Sequence, residues 1–558
     1  MGAIDELKEL ANLHDFARYM KYKPSQLAYI IYGISDANKY KTFEIPKKTG
    51  GTRVITTPCQ KLMLLQRKTA HVLQDCLEEI FEISNQKKSL SHGFRKEHSI
   101  VTNASVHRAR RFVLNFDMKD FFDQFNFGRV RGFFIKNNNL LLSPDVATII
   151  AQIACFSNKL PQGAPTSPVI TNLISSILDI RLKRIAVRNK CLYTRYADDI
   201  TFSTNTREFP SQIACQESDH SWHVSDYLAE EIRRFGFEIN DTKTRLQYKY
   251  SRQEVTGLVC NRILNTPCEY RKKARAMADK LFKSGSYVLS KNSDTGEEVA
   301  GTLQQLIGIY AYIDYIDRVR SEIRDEEFTE LKRTEKYKQI VFFKEFYVAE
   351  MPTLIFEGKT DRIYIKCALK KLYEQFPRLA KKEANEVNIQ IRLPKCEGLL
   401  KRFYKLGNGT SSLANFIKNY KRAWSIYEAE SGDHPVIIVV DNDDGKKAIS
   451  VTMKYHGVDF DHSKKFQHVV HNLYVVCVPG EGSAIEDLFP SWVLKTQLEG
   501  KSFNRTNKNA GPNEYGKTYF ARHVVNVNYD NIDFSGFTEL LGNIDSAILD
   551  YSVNKSNY

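Results

Sequence analysis

Cys-x-x-Cys pairs are missing from this chain of 558 residues, and its ten cysteines stand singly, so neither a zinc ribbon nor a disulfide-stapled fold is indicated. Reduced core thiols are the simpler reading. The nearest approach to a zinc cluster, Cys215 with His220 and His223, lacks a clear fourth ligand and sits in a polar insertion over 204–222. No apolar run is long enough to span a bilayer or serve as a signal peptide, and Val436 to Val440 has only the length of a buried strand. Met1-Gly2 opens the chain, but Glu6 stands where a myristoylation site needs Ser or Thr. A cytoplasmic protein without a membrane partner is expected.

Long stretches of low hydrophobicity are also lacking. Hydrophobic residues make up 42% and aromatic residues 12%, the composition of a folded chain long enough for two to four domains. Positive charge is in excess, at a net +15. Lysines and arginines facing phosphates release condensed counterions, so a polyanionic partner is favoured.

Two acidic stretches carry the chemistry. In Leu192-Tyr193-Thr194-Arg195-Tyr196-Ala197-Asp198-Asp199-Ile200-Thr201-Phe202-Ser203, apolar and β-branched residues flank an Ala-Asp-Asp turn, which predicts a tight hairpin with two carboxylates at its tip. Adjacent like charges call for a cation between them, and Mg²⁺ prefers oxygen ligands. Acidic residues also occur in turns merely as Asx-turn formers. Upstream, Arg111 to Phe122 is an apolar strand that ends on Asp117 and runs into Phe121-Phe122. If Asp117 faces Asp198 across a sheet, three carboxylates can hold the two cations of an in-line phosphoryl transfer.

Asp117 with Phe121-Phe122, and Tyr196-Ala197-Asp198-Asp199, resemble the palm of a reverse transcriptase. The strings Asn103-Ala104-Ser105-Val106-His107 and Val255-Thr256-Gly257 narrow the resemblance to bacterial retron reverse transcriptases. It covers roughly the first three-fifths of the chain. It implies that Asp117, Asp198 and Asp199 are catalytic ligands of two Mg²⁺, with Mn²⁺ able to substitute. Lys243 would stand near the leaving pyrophosphate as a general acid. Lys47, Lys48 and Arg53, on a hairpin with a Gly-Gly turn, would meet template or triphosphate, as would Gln162 and Gly163 of the Pro-Gln-Gly loop. Phe122 would block a ribonucleotide 2′-hydroxyl. His107, Val255, Thr256 and Gly257, with Arg271 and Lys272 of a basic helix, would bind RNA or primer.

Beyond an alternating-charge segment, Pro352 to Asp361 predicts a strand, a Gly turn and a helix start, which aim Glu357 and Asp361 at one spot. Pro435 to Val440 is an apolar strand ending in Asp441-Asn442-Asp443-Asp444-Gly445, with Asp441 and Asp443 on one face. Alternating helices and strands imply a small parallel α/β domain with its site beyond the carboxyl ends of the strands. This part resembles a Toprim domain of the kind found in the overcoming-lysogenization-defect nucleases. The resemblance implies one or two further Mg²⁺ on Glu357, Asp361, Asp441 and Asp443, with Glu481 or Glu486 as additional ligands and Lys517 as a transition-state cation.

The expected architecture is an α+β right-hand polymerase followed by an α/β Toprim domain with a parallel sheet. Its parts are an N-terminal helical cap (1–40), fingers and palm (41–260), a thumb (261–320), an exposed linker helix (321–347) and the Toprim domain (348–558). By resemblance, a bacterial enzyme would copy its cognate structured non-coding RNA with dNTPs into branched msDNA, and host ribonuclease H would remove template. An oligomer with msDNA would restrain the Toprim nuclease as an effector of anti-phage defence. The alternatives are a reverse transcriptase of another bacterial retroelement, and a Toprim fold that only binds nucleic acid or assembles oligomers.

Overall fold

The computed structural model describes residues 2–46, 51–83, 90–218, 220–291, 296–324, 334–384, 386–443, 445–505 and 511–558. Lys47, Lys48 and Asp444 lie outside the described residues. The chain divides into two compact units, Met1–Cys268 with Ile316–Glu327, and Glu269–Tyr315 with Phe328–Tyr558. No helix among the described residues is long and apolar enough to cross a membrane.

In the first unit, short helices at Ala3–Lys8, Leu13–Tyr19 and Pro24–Ala28 bury Leu7, Phe16 and Leu27. The Asn12 side chain accepts the His14 and Asp15 N–H groups and so starts the second helix. Strands β1 (Tyr40–Pro46) and β2 (Thr52–Pro58) form an antiparallel hairpin. Helix α1 (Gln60–Ile83) follows, burying Leu62, Leu65, Leu73 and Leu77 at helical spacing. Helix α2 (Ile100–Val106) then leads into β3 (Phe112–Met118), whose side chains are buried on both faces apart from partly exposed Asn115 and Asp117.

Helix α3 (Ser167–Arg188) is buried around most of its circumference. Strands β4 (Leu192–Tyr196), β5 (Asp199–Thr204) and β6 (Ile239–Tyr248) complete a four-stranded antiparallel sheet in the order β4-β5-β3-β6. Phe116 and Phe202 stack in its core at a centroid distance of 6.2 Å. Strands β7 (Glu254–Val255) and β8 (Leu258–Val259) form a small hairpin.

The second unit begins with helix α4 (Cys268–Ser284) and the start of α5 (Leu303–Arg324). Met277, Leu281, Leu306 and Tyr310 share one apolar core with Tyr337, Phe342 and Ile355. Helix α6 (Glu335–Phe342) buries Tyr337, Ile340, Val341 and Phe342, and Phe346 and Tyr347 just beyond it are buried too. This corrects the expected exposed linker. The alternating charges upstream hide an apolar stripe that starts at Tyr337.

Strands β9 (Thr353–Phe356), β10 (Val436–Val440), β11 (Gln467–Val470) and β12 (Leu473–Cys477) form a sheet in the order β9-β10-β12-β11. The first three strands of that order are mutually parallel, as predicted from their unbroken apolar runs. Strand β11 is antiparallel to β12, so the sheet is mixed and not wholly parallel. The reason is local: β11 and β12 are joined by a short turn through His471 at φ +54°, which can make only a hairpin. Helices α7 (Asp361–Leu372) and α8 (Thr410–Trp424), a short helix α9 (Lys517–Tyr519) and α10 (Thr538–Asn554) belong to the same unit.

Candidate active site

Strands β3 and β5 run in a register that sets Asp117 directly opposite Asp199. Tyr196 pairs with Asp199, so Ala197 and Asp198 form the two-residue turn, with Ala197 in the left-handed region at φ +56°. The Met118 N–H donates to the Asp198 carbonyl at 3.0 Å, which fastens the turn to the end of β3. Asp117 therefore stands at the same end of the sheet as the adjacent pair Asp198-Asp199, which lies far from it in the sequence.

Lys243 comes from an irregularity in β6. Asn115 pairs with Arg245 but Asp117 with Asn240, so the segment between them arches out of the ladder and Lys243 reaches an ion pair with Asp117. Burial, its contact with Asp117 and the charges of Asp117 and Asp198 push the Asp199 carboxyl up to about 8. Burial also raises Asp198, aided by the Asp117 charge and opposed by Lys243 and Arg53. The hydrogen bond to Asp117 leads the causes that raise the Lys243 amine. The arrangement is three oxygen-donor acids under mutual repulsion, a donor set suited to a hard divalent ion. In the pose described, Lys243 takes up part of that charge, and among the described residues no three acidic, His or Cys side chains close around one point.

The turn is held from behind by a network that sequence reasoning did not assign. Arg195 is wholly buried and bonds Asp179 through Nε and Nη2, each at 2.8 Å, while its Nη1 donates to the Ala197 carbonyl at 2.9 Å. Tyr193 donates to the same Asp179 at 2.6 Å. The segment Leu90–Gly93 pairs with β4 through His92 N–H to Arg195 carbonyl and Arg195 N–H to Leu90 carbonyl, both 2.8 Å. A Cβ on Gly93 would lie 2.7 Å from the Ala197 nitrogen, so only glycine fits against the turn. The one available signal was an arginine inside an otherwise apolar strand.

His107 is also fully buried, with Nδ1 2.7 Å from Ser203 Oγ and Nε2 2.7 Å from Thr194 Oγ1. Burial holds its imidazole down to about 3, hence neutral. The expectation that His107 touches RNA or primer is therefore corrected: it pins the end of α2 to β4 and β5. Val255 is likewise buried and presents no surface, whereas Thr256 is partly exposed and Gly257 exposed in the β7–β8 turn. Arg271 is half-buried and Lys272 exposed on α4.

Around the acids, Phe121 is buried and Phe122 partly exposed. The Thr56 N–H donates to the Gln162 carbonyl at 2.8 Å and joins the β1–β2 hairpin to the Pro-Gln-Gly loop. Gly163 stands at φ +120°, and a Cβ there would be 3.0 Å from both Ile55 Cγ2 and the Thr56 carbonyl. Arg53 is exposed on β2, near enough for its charge to act on Asp198.

The second acid group lies in the other unit. Phe356 pairs with Val439 and Val440 with Cys477, so Glu357, Asp441 and the segment after β12 emerge at the same end of the sheet. Glu357 accepts a hydrogen bond from the Thr410 hydroxyl. Asp361 accepts the Gly358 N–H at 2.9 Å and the Thr360 hydroxyl at 3.2 Å. Asp441 accepts the Ile485 N–H at 3.0 Å. Glu486 is wholly buried and forms an ion pair with Lys517 at 3.0 Å. Burial and the Asp361 charge push Asp441 up to about 7, while burial with the Glu486 charge brings Asp361 to about 6. Burial alone would lower the Lys517 amine, but Glu486, Asp361 and Asp441 override it and leave it raised. Asp443 is exposed and accepts the Gly445 N–H at 2.8 Å, and Glu481 is exposed in the loop beyond β12.

Residues 45–260 match the reverse transcriptase (RNA-dependent DNA polymerase) family model. Three curated proteins are similar to this chain. The retron Mx65 reverse transcriptase of Myxococcus xanthus is 33% identical over 51% of this chain and 62% of its own length. The retron Mx162 reverse transcriptase of Myxococcus xanthus is 31% identical over 59% and 68%, and the retron Ec86 reverse transcriptase of Escherichia coli is 32% identical over 45% and 72%. The chain thus spans about three-fifths to seven-tenths of the length of these relatives. A solved Candida albicans telomerase aligns at 11% identity and a TM-score of 0.33, over 54% of this chain and 63% of that one. With Asp117 set against the Tyr196-Ala197-Asp198-Asp199 hairpin and relatives of this identity, the chain belongs to the retron reverse transcriptase family.

Proposed function

We propose that the chain is an RNA-directed DNA polymerase that copies a cognate structured RNA into branched msDNA, and that its second unit is a Toprim-type nuclease acting as an effector of anti-phage defence. The observation that carries the first part is the register of Asp117 against Asp199, with Asp198 in the adjoining turn. A primer hydroxyl attacks the α-phosphorus of a dNTP and pyrophosphate leaves. Asp117, Asp198 and Asp199 would hold Mg²⁺ or Mn²⁺, which supplies activation of the attacking oxygen and neutralisation of the leaving charge. Lys243, which pairs with Asp117, would pass a proton to the leaving group. Phe122 sits five residues past Asp117 with a partly exposed ring, suited to excluding a 2′-hydroxyl.

Support for the nuclease comes from the parallel strands β9, β10 and β12, which carry Glu357, Asp441 and the Glu486 loop beyond their carboxyl ends. Glu357, Asp361 and Asp441, with Asp443 at the rim, would hold one or two Mg²⁺, whose chemistry there is polarisation of a phosphodiester. Lys517 offers charge to the developing phosphorane. One observation favours a second reading, a nucleic-acid-binding or oligomerising fold without catalysis: the buried Glu486 carboxylate is already paired with Lys517.

The test is to sequence the nucleic acid that co-purifies with the full chain expressed from its locus. A covalently branched RNA–DNA species is expected, absent from Asp117→Ala and Asp198→Ala; DNA persisting in either variant overturns the polymerase reading. Loss of cellular toxicity in Glu357→Ala and Asp441→Ala is expected of the nuclease, and toxicity retained in both defeats it.

A further inference from the structure

The short helix that carries Lys517 has a second face. Phe520, Ala521 and Val524 are buried, while Thr518, Tyr519, Arg522 and His523 are exposed and, with Gly516, line an open recess of about 300 Å³. The Tyr519 and His523 rings lie 4.2 Å apart at an interplanar angle of 31°, one helical turn from each other. Tyr519 is 40% exposed, large for an aromatic residue beside a packed core. Tyr519 and His523 follow Lys517 by two and six residues on one helical stretch, which continues as a π-helix over Phe520–Val525. On the other acids' side of the sequence, Lys359 and Arg362, next to Glu357 and Asp361, line a smaller recess with Lys395.

We infer that the second unit takes single-stranded nucleic acid, with the base beside the reacting phosphate stacked on the Tyr519–His523 pair and Arg522 on an adjoining phosphate. This rests on the nuclease reading for its reacting phosphate but not for its binding. Aromatic faces accept any base, which gives strand recognition without sequence preference. A base inside a duplex presents only its edges and cannot lie on such a pair, so the geometry selects unpaired nucleotides. Lys359 and Arg362, next to Glu357 and Asp361, would add cations for a flanking phosphate.

The experiment uses the full chain in EDTA with DNA and RNA strands of one sequence, each carrying a single 5-iodouracil. After irradiation, adducts are mapped by mass spectrometry, which separates this site from nucleic acid held by the first unit. The expected adduct lies in the peptide containing Tyr519, is competed by unlabelled single strand and not by blunt duplex, falls about tenfold in Tyr519→Ala, and persists in Tyr519→Phe. The ratio of DNA to RNA adduct identifies the sugar preferred. Adducts only elsewhere, an unchanged yield in Tyr519→Ala, or equal competition by duplex would overturn the inference. Toxicity that depends on Glu357 and Asp441 without an adduct at Tyr519 leaves the nuclease standing and removes this site. An adduct with toxicity indifferent to Glu357 removes the nuclease and supports the site.

Discussion

Replacing Arg195 by methionine tests whether the buried ionic network sets the catalytic turn or only fills space. The variant leaves Asp179, itself buried, with the Tyr193 hydroxyl as its remaining donor among those described above and strips the Ala197 carbonyl of its 2.9 Å partner. Removing one member of a buried pair costs about 3–5 kcal/mol, because the stranded charge stays out of water. At about 1.4 kcal/mol per tenfold, hydrogen-exchange protection of the β3, β4 and β5 amides should fall by roughly two to three and a half decades. Exchange is the right assay because it reads this sheet and not the two-unit chain as a whole. Replacing the set together, Arg195→Met with Asp179→Leu and Tyr193→Phe, removes the stranded groups and should restore most of the protection. Primer extension should nevertheless remain at least about tenfold low, since the Ala197 carbonyl is still without its donor. Recovery of full extension in the triple variant would refute the positioning role. A loss of protection below tenfold in Arg195→Met would refute the energetics.

His107 has its pKa depressed on folding, so its contribution is fully present above the ordinary value near 6.5 and is lost as pH falls toward about 3. Between pH 7 and pH 5 that is about 2 kcal/mol, and melting curves of His107→Gln should show a correspondingly flatter acid limb; an unchanged limb would exclude His107 as the source. Gly163→Ala should raise the KM for dNTP by roughly tenfold to a hundredfold, because a side chain at φ +120° and 3.0 Å from the Thr56 carbonyl must push the β1–β2 hairpin away. Steady-state kinetics with an unchanged KM would show that the Gln162–Thr56 contact does not bear on the nucleotide.

The acids were legible because a turn between two apolar runs, and a strand ending on Asp117, each announce themselves within a dozen residues. Antiparallel strands that align their apolar faces bring Asp117 to the hairpin, although the residue directly opposite it is Asp199 and not the expected Asp198. The apolar runs at 353–356 and 436–440 likewise forecast buried parallel strands. What failed had a common cause: burial of polar side chains is decided by partners distant in sequence. His107 looked like a surface ligand until Thr194 and Ser203 closed on it, and Arg195 passed as an ordinary strand residue until Asp179 arrived from α3. The burial of the helix at Glu335 was masked by flanking charges, and the orientation of β11 depended on one left-handed residue, His471.

The two lysines beside the two acid groups differ in a way that decides what each can do. The Lys243 side chain is 57% exposed, so its pair with Asp117 is screened and worth at most about 1 kcal/mol; it can swing away and return at little cost. A mobile cation of that kind suits a group that must follow a departing pyrophosphate. The Lys517 side chain is 28% exposed and its partner Glu486 is 1% exposed, so moving it would strand a buried carboxylate. Lys517 is therefore a fixed charge; under the proposed nuclease reading a phosphodiester would have to approach it, and the strand would lie on the exposed face of its own helix. Lys243→Met should accordingly lower extension with no change in melting, whereas Lys517→Met should destabilise the second unit before any chemistry is read, and Lys517→Met combined with Glu486→Gln should recover the melting transition without recovering toxicity. Equal melting for Lys517→Met and the parent chain would show that the buried pair contributes nothing, and with it would go the distinction between a swinging and a fixed cation.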